Sequence, residues 1–157
     1  MSRKTERVGR SGEFLTASVL AKVSDTVTVL PHAAEADVIF EWNNHLIKCQ
    51  VKTRNNIEKG GVSWRFDLRR GANTKNRKYQ ENTLDVFALI SVPYNTIYFL
   101  PFNNCKKQSI CISDEIMKNL NSLDSLQGAM DNIAWINTDR HMTNVDLFDE
   151  NSLVAIG

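Results

Sequence analysis

Asp37, Gln50 and Lys52 are the side chains of this chain whose types and spacing could do chemistry together. Successive side chains of a strand point to opposite faces. In the segment 45–53, Leu46, Lys48, Gln50 and Lys52 therefore share one face, and His45, Ile47, Cys49, Val51 and Thr53 share a largely apolar one. In 37–42, Asp37 lines up with Ile39 and Glu41, while Val38, Phe40 and Trp42 face the core. Asn43-Asn44 between the segments can take the left-handed conformations of a tight turn. The resulting hairpin, 37–53, brings Asp37 toward Gln50 and Lys52. Such a group suits metal-assisted cleavage of a phosphodiester. Mg²⁺ prefers oxygen ligands, and the Asp37 carboxylate and Gln50 side-chain carbonyl can supply two, with the Val51 main-chain carbonyl a third. The cation would polarise a phosphoryl oxygen and acidify bound water. Lys52 would position or activate the attacking water and stabilise the growing negative charge. Glu13 could hold a water of the cation's shell, or a second cation. The same spacing also occurs on plain amphipathic edge strands, and a first-turn glutamate suits the helix dipole without any chemistry.

The surroundings are strongly basic. Between residues 48 and 78 there are ten Lys or Arg against Glu58 and Asp67, although the whole chain carries only +1. Arg54, Arg65, Arg69, Arg70, Lys75, Arg77 and Lys78 follow the reactive strand, and Arg3, Lys4, Arg7 and Arg10 open the chain. Concentrated positive charge is the footprint of a polyanion, because phosphate neutralisation releases counterions. From residue 113 onward the balance reverses, with eight acids against Lys118 and Arg140.

The elements that must position these groups follow from periodicity. The stretch 11–21 reads as a helix that Ser11 can cap, with Phe14, Leu15, Ala17, Val19 and Ala21 at helical spacing. Residues 27–30 form a short strand before Pro31. Residues 62–68 alternate as a third strand of the run after the Gly60-Gly61 turn, which accounts for Trp64 and Phe66 as packing residues, with Tyr79 read the same way. The segment 69–83 reads as a polar loop with a short helix. Residues 85–92 and 96–100 form a hairpin around Pro93-Tyr94-Asn95, residues 108–112 a short strand, and 114–123 a helix. The tail from Asp124 is weakly patterned. This order predicts an α/β or α+β fold with a mixed central sheet.

Length and composition bound the rest. At 157 residues with 42% hydrophobic and 24% charged side chains, the chain is expected to form one domain around one main core. No apolar run approaches a membrane span, and the polar start lacks a signal segment, so a cytoplasmic location is expected. Cys49, Cys105 and Cys111 show no CxxC spacing, and His32, His45 and His141 are scattered. Free thiols are therefore expected, and not a zinc site or a disulfide framework.

The ordered set Glu13, Asp37, Gln50-Val51-Lys52 resembles the PD-(D/E)xK nuclease core. More narrowly it is similar to the homing endonucleases associated with group I introns. The likeness rests on 12–21, on Ala36-Asp37 with 49–53, and on 84–88 with 96–101, and it spans about residues 9–103. It implies a PD-(D/E)xK nuclease core within a single domain, 1–157, flanked by helices. It further implies a site-specific endonuclease of double-stranded DNA that uses Mg²⁺ (with Mn²⁺ as a substitute) and acts as a homo-oligomer, dimer or tetramer. Glu13, Asp37, Gln50 and Lys52 would be its catalytic residues and Asp37, Gln50 and Val51 its metal ligands. Arg10, Arg54, Arg65, Arg69, Arg70, Lys75, Arg77 and Lys78 would be its DNA contacts. The acidic region from about 113 would pack or assemble subunits. Two departures stand out: Ala36 precedes Asp37 where the pattern has proline, and Gln50 replaces the usual second acid, as in the intron-encoded branch. Two further readings stay open, a nuclease specific for four-way junctions and a catalytically silent DNA-binding protein of the same fold. A protein-interaction module would bind DNA weakly and without salt dependence, against the basic segment.

Overall fold

The computed structural model describes residues 2–71 and 77–135. Lys75 and the end of the acidic tail lie outside them. The chain opens with α1 (Arg3–Leu20), followed by β1 (Val27–Val29), β2 (Val38–Trp42), β3 (His45–Arg54) and β4 (Ser63–Asp67). Strands β5 (Val86–Ser91), β6 (Thr96–Pro101) and β7 (Ser109–Ser113) come next, then α2 (Asp114–Asn119) and α3 (Ser122–Asp131). Five strands form a mixed central sheet in the order β1-β2-β3-β5-β6, while β4 and β7 pair apart from it. All central pairs are antiparallel except β3 with β5, which is parallel. A parallel pair needs a long crossover, and this one carries β4 and the basic loop. The expected α+β architecture with a mixed central sheet is the one found.

Alternation along β3 builds two layers. Ile47, Cys49 and Val51 are buried on one face, among Val19 and Leu20 of α1 and Leu126, Ala129 and Met130 of α3. On the other face Phe87 and Leu89 of β5 pack with Trp64, Phe66, Ile112 and Met117 of β4, β7 and α2. Each large apolar side chain so buried stabilises the fold by about 1.5–3 kcal/mol. Strand β5 is buried throughout, as a central strand covered on both faces must be. Asn43 (φ 48°) and Asn44 (φ 65°) both take the left-handed turn conformation between β2 and β3, so the expected hairpin forms.

Four expectations are corrected. The first helix begins at Arg3, not near residue 11: Ser2 is its cap, accepting from the Thr5 N–H at 3.3 Å. Ser11 lies inside it and donates to the Val8 carbonyl. The added turns are exposed and charged, so they carry no apolar periodicity, yet Arg, Lys and Glu are good helix formers. The strand around 63–67 leaves the central sheet for the pair with β7. The expected helix 114–123 is two helices, because the Asn121 side chain accepts from the Leu123 and Asp124 N–H groups and starts a new one. Helix α3 thereby continues into the tail read as weakly patterned. Finally, the described residues between 69 and 83 contain no helix.

Candidate active site

The β2–β3 register pairs Val38 with Cys49, so the next step outward sets Asp37 level with Gln50. The Asp37 N–H donates to the Cys49 carbonyl at 2.9 Å. Its carboxylate Oδ2 accepts from the Val51 N–H at 2.8 Å, and no described donor engages Oδ1. Burial pushes the Asp37 carboxyl up to about 6, against the Val51 hydrogen bond, which favours the anion. Glu13 adds to the rise by like charge, while Lys52 and His32 oppose it. Beside it, the Gln50 Oε1 is buried without a hydrogen-bond partner. A buried acceptor without a donor carries a desolvation cost of about 1–3 kcal/mol.

Lys52, one outward position further along β3, donates from Nζ to the Arg69 carbonyl at 2.6 Å and stands 5.5 Å from the centroid of the Tyr79 ring. Burial lowers the pKa of this ammonium, and Asp37 pulls it back upward. Glu13 reaches the group from the far side of the sheet, where it is buried and paired with Arg10 at 2.8 Å. It gets there because α1 lies close on β3: a Cβ at position 12 would collide with the Thr53 hydroxyl, so only glycine fits. The register thus brings Asp37, Gln50 and Lys52 together, and Glu13 lies near enough to act on the Asp37 carboxyl through its charge.

The donor set suits a hard cation, with one desolvated carboxylate, one amide oxygen lacking a donor, and a second acid nearby. Among the described residues no group of three or more His, Cys, Asp or Glu gathers for a metal. Any cation here would therefore rest on an acid and an amide, not on an all-acid cage.

The basic residues divide by partner. Arg69 grips Asp67 through Nε and Nη2 at 2.9 and 2.8 Å, and Arg77 reaches the same carboxylate at 3.2 Å. Arg70 lies 3.7 Å from Glu35, and Arg10 also stacks on Phe14. Arg54 is half-buried at the end of β3, while Arg65 and Lys78 are exposed. Lys75 lies outside the described residues. Three participants were not visible in the sequence. Asp67 counted only as one negative charge, though it organises two arginines, and they hold its carboxyl well below the usual range. Tyr79 packs on Phe87 and Phe102 as expected, but also borders Lys52. His32 acts on Asp37 from the turn after β1, and no spacing rule marks it.

This architecture is similar to that of a solved bacterial homing endonuclease, I-Ssp6803I. The two share 19% identity over 88% of this chain and 97% of the other, with a TM-score of 0.60. No family model and no curated protein matches the chain. At this identity the likeness establishes the fold, a homing-endonuclease-type α+β sheet flanked by helices. Among the described residues no helix is long and apolar enough to cross a membrane.

Proposed function

We propose that the protein is a metal-dependent endonuclease that hydrolyses phosphodiester bonds in double-stranded DNA at a specific site, with a PD-(D/E)xK type of active site. The observation that carries this reading is the buried, donorless Gln50 Oε1 beside the desolvated Asp37 carboxylate, with Lys52 next along the same strand. Asp37, Gln50 and the Val51 carbonyl would hold Mg²⁺, or Mn²⁺ in its place. Bound there, the cation supplies Lewis acidity toward a phosphoryl oxygen. Lys52 orients the attacking water and balances charge as the phosphorus centre becomes more anionic. Glu13, held by Arg10, keeps a second acid at the edge of the site. Arg54, Arg65, Arg69, Arg70, Arg77 and Lys78 supply positive charge along the path from the strand, as phosphate contacts that set register. One such site cuts one strand, so a double-strand break calls for a homo-oligomer, and an origin in a group I intron fits the same reading.

The test is incubation with Mg²⁺ and duplex DNA from the gene's own neighbourhood. Discrete cutting is expected from the wild type, with a loss of at least a hundredfold in Lys52→Ala and Asp37→Ala. Binding without cutting by any metal would replace the reading with a silent DNA-binding protein. Cutting of four-way junctions alone would make it a junction nuclease.

A further inference from the structure

The β6–β7 connection adds positive charge to a groove bordering the residues around Lys52, charge that no periodicity in the sequence assigns to the site. Backbone pairing brings it there: Asp67 of β4 pairs with Ser109 of β7, and the Leu68 N–H donates to the Gln108 carbonyl at 2.9 Å. Between this connection and the basic loop lies a cavity of about 310 Å³. Leu68, Phe102 and Tyr79 line its apolar side, and Arg69, Arg77, Lys78, Lys106 and Lys107 contribute five cations against one acid, Glu81. Arg69 and Arg77 are already drawn to Asp67. Lys106 and Lys107 are exposed, and no acid stands on the segment 103–108 that carries them. The groove adjoins the candidate site through two of its own members. Arg69 offers its carbonyl to Lys52, and the Tyr79 ring borders the same ammonium.

We propose that this groove binds backbone phosphates of the DNA strand flanking the scissile bond, with Lys106 and Lys107 as its principal cationic contacts. The inference rests on the endonuclease reading. A concave surface with low-dielectric apolar lining beside several cations focuses the field and strengthens attraction to an anion relative to a flat surface. Arg69 and Tyr79, which border Lys52, also line the groove, so a strand held at Lys52 would meet it. Contacts of this kind fix position and carry no base information.

The test is duplex binding by the full chain in Ca²⁺ across a range of salt, followed by fluorescence anisotropy. Wild type is compared with Lys106→Gln/Lys107→Gln and with Lys22→Gln/Lys118→Gln, which removes the same charge elsewhere. Each phosphate contact contributes about 0.9 to the slope of log K against log salt. The expected result is a slope smaller by about 1.8 for the first pair alone, with affinity lowered at least tenfold near 0.1 M salt. Equal slopes for the two pairs, or no change in either, would overturn the groove. Wild-type binding in Ca²⁺ with no cutting after Mg²⁺ or Mn²⁺ is supplied would sink the endonuclease reading, while the slope comparison would still decide the groove. No binding by the wild type would overturn both.

Discussion

The chemistry at Asp37 is dominated by what surrounds one carboxylate. Burial disfavours its anion, and the folded-state value near 6 lies above the ordinary 3.8. The folded chain therefore holds a proton more tightly than the unfolded chain. Without divalent cation, this group's contribution to stability is full below about pH 4 and is lost as pH rises through about 6. Asp37→Asn removes the ionisation while keeping an oxygen for the Val51 N–H. Under chelation the variant should be more stable than wild type at pH 8 by about 1–3 kcal/mol, and the gain should vanish at pH 4. Urea denaturation at the two values measures it, and an equal difference at both would refute the assignment. The grouping of Asp37, Gln50 and Lys52 was legible because period two in a strand places Gln50 and Lys52 on one face and a two-residue turn sets Asp37 opposite. The other half of the environment was not. Lys52 is held by a main-chain carbonyl, which has no residue type to read, and Asp67 also pairs with Arg77 ten residues on, at a spacing no strand or helix period marks.

At the level of elements, two contacts decide how the layers meet. The first is Gly12 against Thr53, where α1 crosses β3 with no space for a methyl group. Gly12→Ala forces helix and strand apart and should cost about 1–3 kcal/mol, with further loss of cutting because Glu13 moves with the helix. Thermal denaturation checks the first effect, and a wild-type midpoint would contradict the close approach. The second is the outer edge of the sheet. The Ile97 and Phe99 N–H groups of β6 donate to the hydroxyls of Ser122 and Ser125 on α3, both at 2.9 Å. A helix thus satisfies an edge strand that would otherwise offer its backbone to another chain. Ser125→Ala leaves a buried donor unpaired and should destabilise by about 1–3 kcal/mol, measurable as a lower urea midpoint. The strands and the β2–β3 turn could be read in advance because alternation and paired asparagines are local signals. Helix α3 could not, because serines occupy part of the face it turns to the sheet and blur its apolar stripe. Nor could the first turns of α1, whose side chains face water.

For the whole molecule, the two apolar layers depend on segments far apart in sequence. Leu126, Ala129, Met130 and Ile133 complete the same core as Val19, Val38 and Ile47. Ending the chain after residue 120 would strip that face of the sheet, and the product should lose its cooperative unfolding transition by circular dichroism. A truncated chain that melts sharply at the wild-type temperature would show that α3 is dispensable. The separate β4–β7 pair has a different consequence. It stands on the crossover between two central strands, and the Arg69 backbone that follows β4 is also the rest for the Lys52 ammonium. In the proposed reading, recognition and reaction thereby share one piece of chain. An engineer who exchanged residues 55–84 to obtain a new target would also be exchanging the support of the Lys52 amine, the group proposed to act in cleavage. Grafts that fail to restore a carbonyl at that point should produce variants that recognise DNA but no longer sever it, so retargeting would have to select for both properties together.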